Sequence, residues 1–452
     1  MFASTRIHRP TIPSELIQHT VSYLTTEDGQ PDETLLHNTS LVSPTFRRHS
    51  QELLFSRVEL VYPAQLGKQT AAAKLLSVIN DSPRLFAYIT TVVLASWETM
   101  SCAPLALKEQ DLQGDKALVD VLNKLATLGR VKAFTLWEKY FRIWDFVPAA
   151  AMDALAAICG SAALRTLKID GGPMSLLTCC SPSIKTLILE SLHEYSFIGT
   201  TDRERLLLSS RMILHEPPAR KSTITTRVES LKIHDYHYHE EVPHPKIHNS
   251  PGIDLGALKS IELTSTQRST YSQTNNLLQH CPPSLEEVIL ELYEPYHRNA
   301  GDFPELSRFV GLTKATFFIR SAKPPRNSSE GDWGLFLMSQ VIDSIPASSP
   351  LKSVDICVMH LRRPFDEPRR LSAFYRDNYQ EWDKIFDSLF QTSKFPDLQS
   401  LTLTIYRPKC VSATPEVIVR VLPRPPENVR FDLRILPIDQ SPIPNRDSRA
   451  ES

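Results

Sequence analysis

The strongest constraint on the fold is a spacing that recurs from Ile89 to Leu403: an apolar residue, two of any kind, a second apolar residue, one of any kind, and a third apolar residue. It runs Ile89/Val92/Leu94, Val131/Phe134/Leu136, Leu164/Leu167/Ile169, Ile184/Leu187/Leu189 and Val228/Leu231/Ile233. It continues Leu258/Ile261/Leu263, Leu285/Val288/Leu290, Leu312/Ala315/Phe317, Leu351/Val354/Ile356 and Leu398/Leu401/Leu403. The last two positions are two residues apart, so on a strand they share one face. A five-residue strand with one apolar face cannot bury it alone. Ten such copies therefore predict a stack of short parallel strands around a continuous core.

Helix-compatible runs lie between the copies: Ala71 to Ile79, Ala117 to Leu128, Ala149 to Cys159, Trp333 to Ile345 and Trp382 to Thr392. Strand and helix alternate, and the strand pattern resembles the strand half of a leucine-rich repeat. The copies are separated by about twenty to nearly fifty residues and lack the asparagine ladder of an ideal repeat, so the expectation over 88–436 is an irregular leucine-rich-repeat-like solenoid with a parallel sheet. An α/β domain with an ordinary parallel sheet fits the same alternation. In either case about twenty inward side chains, worth roughly 1.5–3 kcal/mol each, offset the ordering entropy only collectively.

The segment from Thr11 to Leu60 has a different period. Ile12-Pro13 opens a helix in which Leu16, Ile17, Val21 and Leu24 repeat on one face, with Pro13 suited to the first helical position. After a break at 27–31 come Leu35, Leu36, Leu41 and Val42, and Ser43-Pro44 reads as an N-cap with a first-turn proline before Phe46, Leu53 and Leu54. Three short helices bury little among themselves, which leaves part of their apolar surface for a partner. Ile12-Pro13, Glu15-Leu16, Leu24, Leu41-Val42-Ser43, Phe46 and Leu54-Phe55 together resemble an F-box, particularly the fungal set with a SLVSxxF core followed by LLFxxVxL. The resemblance implies a three-helix F-box over 9–60 that binds a Skp-family adaptor of cullin-RING ubiquitin ligases through Ile12, Pro13, Leu16, Ile17, Leu41, Val42 and Phe46. Ile12 replaces the family's usual leucine. Thr20 stands where an aliphatic residue is expected and would bring a hydroxyl to a packed position. Leu75-Leu76, Ser82-Pro83, Leu85 and Tyr88 recur in fungal F-box proteins with solenoids, and a connecting helical segment is expected over 61–87.

Composition narrows the function classes. The net charge of -1 argues against a general nucleic-acid or membrane-surface binder. Residues 1–10 lack an apolar signal core, and the longest apolar stretch, 146–164, is broken by Pro148, Asp153 and Gly160, so neither a signal peptide nor a membrane span is expected. Seven scattered cysteines, none at CxxC spacing, fit a reducing compartment, cytoplasmic and/or nuclear. The sequons at Asn38, Asn80 and Asn327 would then be unused.

In a leucine-rich solenoid the residues alternating with the apolar ones face a concave binding surface. Here they include Trp97, Trp137, Lys168, Asp170, Glu190, Lys232, His234, Glu262, Glu291, Phe318, Asp355 and Thr402. Mixed charge with a few large aromatics suits a protein ligand, and Trp137, Lys168, Lys232, Glu262, Glu291, Phe318 and Asp355 form the candidate target-binding set, with Trp137 and Phe318 as anchors. Polar or proline-rich inserts at 203–226, 235–251, 294–304 and 323–332 are expected to project as recognition loops, and the tail 437–452 to be disordered. His234, His237, His239, His244 and His248, with Glu240 and Glu241, are the only constellation suggesting metal chemistry. They lack a helical HExxH register and read as a polar loop, with no metal or cofactor expected. No phosphate loop, dinucleotide fingerprint or nucleophile elbow occurs. The sequence therefore points to a non-catalytic substrate receptor of an SCF-type ubiquitin ligase. A non-degradative F-box scaffold and, more distantly, a metal-dependent enzyme are the alternatives.

Overall fold

The computed structural model describes residues 12–24, 31–62, 70–96, 116–137, 149–170, 174–190, 225–235, 253–265, 271–292, 303–321, 333–360, 378–391, 393–407, 422, 425–437 and 440–441. The chain is mixed α/β and divides into two compact units, Met1–Ser183 with Asp202–Arg220, and Ile184–Thr201 with Lys221–Ser452.

The first unit opens with three helices, α1 (Ser14–Ser22), α2 (Glu33–Ser40) and α3 (Pro44–Leu54). Local chemistry sets their starts. The Asp32 carboxylate accepts the Leu35 N–H at 2.9 Å to cap α2, and the Ser43 hydroxyl accepts the Phe46 N–H at 3.3 Å to cap α3, with Pro44 in its first turn. Pro13 is the N-cap of α1 rather than its first residue, and its carbonyl accepts from the N–H groups of Leu16 and Ile17. Leu41 and Val42 lie in the turn between α2 and α3. Ile17, Val21 and Leu36 form the core of the module, with Leu24, Phe46, Leu53 and Leu54 packed against it.

Four strands follow, β1 (Arg57–Tyr62), β2 (Thr91–Ser96), β3 (Ala133–Trp137) and β4 (Thr166–Asp170), each parallel to the next. Between them run α4 (Ala71–Asp81), α5 (Pro83–Phe86), α6 (Lys116–Leu128) and α7 (Ala149–Cys159), with a 3-10 helix over Met174–Cys179. Successive helices pack side by side: α4 on α6, α6 on α7, and α7 on the 3-10 turn. Gly129, at φ 60°, takes the left-handed position just past α6 that a side chain would strain. The segment expected to be helical over 61–87 begins with the last two residues of β1 and then holds α4 and α5.

The second unit carries β5 (Thr186–Glu190), β7 (Ser230–Asp235), β9 (Ser260–Ser265), β10 (Glu287–Leu292), β11 (Lys314–Ser321), β12 (Ser353–His360), β13 (Ser400–Arg407) and β14 (Arg430–Pro437) in an open parallel sheet with that strand order. The two-residue strands β6 (Thr226–Arg227) and β8 (Ile253–Asp254) pair separately. Helices α8 (Tyr271–His280), α9 (Trp333–Ser344) and α10 (Tyr379–Phe390) lie between strands in the chain, and α9 packs on α10 and on β11.

All ten sequence copies fall at strands, and their second position is buried in every case. The first position, which precedes the strand, is buried as well, from Ile89 through Leu398. It lies beside a junction repeated in both units. The carbonyl of the residue after that first apolar side chain accepts two N–H groups from the next copy: Thr90 from Lys132 and Ala133, Lys259 from Glu286 and Glu287, Thr313 from Lys352 and Ser353, at 2.7–3.2 Å. Ser56 and Lys185 play the same part for the copies that follow them. The lead-in residue is buried at all ten copies, whereas Phe55, ahead of Ser56, is half-buried. Two strands escaped the pattern. β1 carries an eleventh copy, Phe55/Val58/Leu60, inside the stretch assigned to the helical module, and β14 is led by Val429 with Phe431 and Leu433, one residue tighter than the others. The expected inserts lie outside the described residues except at their edges, as does Trp97, and beyond Pro437 only Gln440 and Ser441 are described.

Candidate functional site: two binding surfaces

The first surface belongs to the three-helix module. Among the described residues ten large apolar side chains are exposed, and six of them, Ile12, Leu16, Tyr23, Leu35, Leu41 and Val42, fall within residues 12–42. Such concentration on a small module is the pattern of a docking surface, since scattered single exposures would need no explanation. Of the seven expected contacts, Ile12, Pro13, Leu16, Leu41 and Val42 are exposed. Ile17 is not: at 6% exposure it belongs to the core of the module, and Phe46 is half-buried against the same core. The helical period explains the exchange, because Ile17 shares the inward face of α1 with Val21 four residues on, about 100° from Leu16. Thr20 also departs from expectation. It is exposed, and its hydroxyl donates to the Leu16 carbonyl at 2.8 Å instead of entering a packed position.

One polar chain ties this module together. Ser14 Oγ lies 3.0 Å from His49 Nε2, and His49 Nδ1 lies 3.1 Å from Glu52 Oε2. The order is that of a nucleophilic triad, but His49 is buried between helices and the chain spans from the first turn of α1 to α3, where it acts as a pin. Nothing in the sequence announces it, because Ser14 and His49 are thirty-five residues apart.

The second surface is the side of the sheets opposite the apolar strand positions. In the first unit it carries Trp137, 38% exposed and level with Asp170, and Lys168, half-buried and level with Thr135. In the second unit it has two ends of different character. Toward β5 the residues are charged. His234 on β7 stands between Glu190 Oε1 at 3.4 Å and Glu262 Oε1 at 3.0 Å, while Lys232 Nζ lies 2.7 Å from Glu262 Oε2. Burial alone would lower the His234 pKa, but the hydrogen bonds to Glu190 and Glu262 and the two negative charges outweigh it and hold the imidazole up at about 9. Burial likewise opposes ionisation of Glu262, and hydrogen bonds from His234 and Lys232 with their positive charges bring it down to about 2. Asp355 faces Lys314 at 4.0 Å, and Lys314 is held more closely by Glu287 at 2.9 Å.

Toward β14 the same face holds an apolar cluster, beyond which Asp432 and Arg434 on β14 pair at 2.6 Å. Phe318, expected to be an exposed anchor, is 5% exposed and packs with Cys357, Met359 and Tyr406, against which Ile289 and Leu436 also rest. Glu291, level with Phe318 across the β10–β11 pair, is buried too. Both expectations fail for one reason: alternation assigns a face to a residue but not what covers that face, and here it holds a second core. Of the seven candidate target contacts, Trp137, Lys168, Lys232 and Asp355 keep accessible surface, Glu262 is largely buried in its ion pairs, and Phe318 and Glu291 are buried. The face was legible as alternating positions. Its division into a charged stretch and an apolar cluster required the register, which sets Glu190, His234 and Thr264 level on β5, β7 and β9, and Glu291, Phe318, Cys357, Thr404 and Arg434 level from β10 to β14.

Compared with protein-family models and with curated proteins, the chain matches none. Its chemistry is therefore read from the two surfaces. His234 belongs to β7 and spends both ring nitrogens on carboxylates, whereas His237, His239, His244, His248, Glu240 and Glu241 lie outside the described residues. Among the described residues no group of three or more His, Cys, Asp or Glu is placed to hold a metal ion, and no helix is long and apolar enough to cross a membrane. Burial pushes the thiols of Cys180, Cys281 and Cys357 up to about 12, which leaves them poor nucleophiles.

Proposed function

We propose that the chain is a substrate-receptor subunit of an SCF-type cullin-RING ubiquitin ligase, built from an F-box and an irregular leucine-rich-repeat solenoid and working in the cytoplasm and/or nucleus. The observation that carries this reading is the exposure of Leu16, Leu41 and Val42, with Ile12 and Pro13, on a module whose own small core is already closed by Ile17, Val21 and Leu36. A Skp-family adaptor would cover that surface. Each strand-bearing unit would offer its own non-core face to a protein target, with Trp137 and Lys168 in the first and Lys232 and Asp355 in the second. Mixed charge around a few large apolar groups suits a protein partner, and the reading assigns no nucleic acid, membrane or cofactor.

Such a subunit needs no catalytic group. Holding a target beside a charged conjugating enzyme raises the effective concentration of its lysines, and proximity supplies the acceleration. The test is co-expression of the full chain with a Skp-family adaptor: a stable complex supports the reading, and no complex overturns it. If the complex forms but no bound protein turns over more slowly when the chain is deleted, the same surfaces serve a non-degradative scaffold.

A further inference from the structure

The apolar cluster toward β14 lies on the wrong side of the sheet to join the main core. Val354 and Ile356 on β12 and Leu401 and Leu403 on β13 bury one side, and Cys357, Met359 and Tyr406, which alternate with them, project from the other. Met359, Tyr406 and Leu436 stand in one row across β12, β13 and β14. Beyond β14 the chain returns to that row: Ser441 Oγ donates to Met359 Sδ at 3.3 Å. Pro437 is level with Arg407 on β13, and four residues later the Ser441 side chain meets a side chain of β12, two strands away in the sheet. The surrounding sequence suits such a seat. Ile438 and Ile443 supply apolar side chains, and Pro442 and Pro444 remove N–H groups a further sheet strand would need.

We propose that the apolar end of this sheet face is a docking site whose resident occupant is the chain's own C-terminal segment, residues 438–452. The segment closes Met359, Tyr406 and Cys357 from solvent. On the receptor reading above, a target that uses this end must first displace it; the seating of the segment does not depend on that reading.

Cys357 reports the seat directly, because its thiol lies in the cluster. Maleimide labelling of Cys357 under native conditions would be compared in the full chain and in a chain ending at Pro437, with Cys357→Ser versions giving the background from other thiols. The expected result is labelling at least about tenfold faster in the shortened chain, reversed by a synthetic peptide of residues 437–452. A full-length Ile438→Asp/Ser441→Glu variant, which loses the seat without losing the segment, should label faster too, and it decides the matter should the shortened chain fail to fold. Equal rates in the full chain and in whichever of these variants folds would overturn the proposal.

Discussion

Leu16 and Ile17 are adjacent and have opposite fates: 56% and 6% exposed. A charge at each therefore does different damage. Leu16→Asp places its carboxylate in water and should leave the melting temperature within a degree or two of wild type while weakening adaptor binding about thirtyfold or more. Ile17→Asp buries an unpaired charge in the core of Val21 and Leu36 and should unfold the module. Circular dichroism melts with adaptor pull-down separate the two, and equal behaviour of both variants would contradict the assignment of faces. The sequence had both residues as contacts, since an apolar repeat reveals which residues avoid water without telling a core from a covered surface. His234 supplies a second residue-scale prediction. Its pKa is raised from 6.5 to about 9, so its contribution to stability is whole below pH 6.5 and is lost as pH rises through 9. Glu262 is lowered from 4.5 to about 2, so its share is present above 4.5 and lost as pH falls through 2. Stability owed to the pair should thus peak between pH 4.5 and 6.5. His234→Gln should flatten the decline in melting temperature between pH 6.5 and 9; an unchanged alkaline slope would show that the pair carries none of it.

At the scale of elements, the spacing of three apolar positions located ten strands because each position does separate work. The first is buried just ahead of the residue whose carbonyl accepts two N–H groups from the next copy, and the other two face the core. β1 was hidden because Phe55, Val58 and Leu60 also match the end of a helical motif, and β14 because its lead residue Val429 stands one place closer to Arg430 than the pattern allows. Helix α8 was missed because TYSQTNNLLQH shows too few apolar residues for a helical period; it is placed by Tyr271, Leu277 and Leu278, which are buried against the rest of its unit. The register itself is testable at β5. Leu187 is 1% exposed, so Leu187→Asp should cost about 3 kcal/mol or more in chemical denaturation. Lys185, two residues before it, is half-exposed and paired with Glu229 at 2.6 Å, and Lys185→Ala should be tolerated. Comparable losses from both would reject the strand assignment.

At the scale of the whole molecule, the two surfaces differ in how far sequence could reach them. The exposed patch on α1 and the α2–α3 turn lies within about fifty residues of chain, and five of the seven residues named there from the F-box resemblance are exposed. The sheet face is assembled from strands whose neighbours lie up to about fifty residues apart, so its charged end, with His234 between Glu190 and Glu262, and its apolar end under Ser441 emerge only from register. The proposed receptor role turns on the first surface, because under that proposal a chain that cannot dock has no route to a ligase. The decisive measurement is the mass, by size-exclusion chromatography with light scattering, of the full chain co-expressed with a Skp-family adaptor, alongside a Leu16→Asp/Val42→Asp variant. A one-to-one complex for the wild-type chain, lost in a variant that melts at the same temperature, is the predicted result. A wild-type chain that elutes without adaptor, or a variant that binds it equally well, would contradict the account.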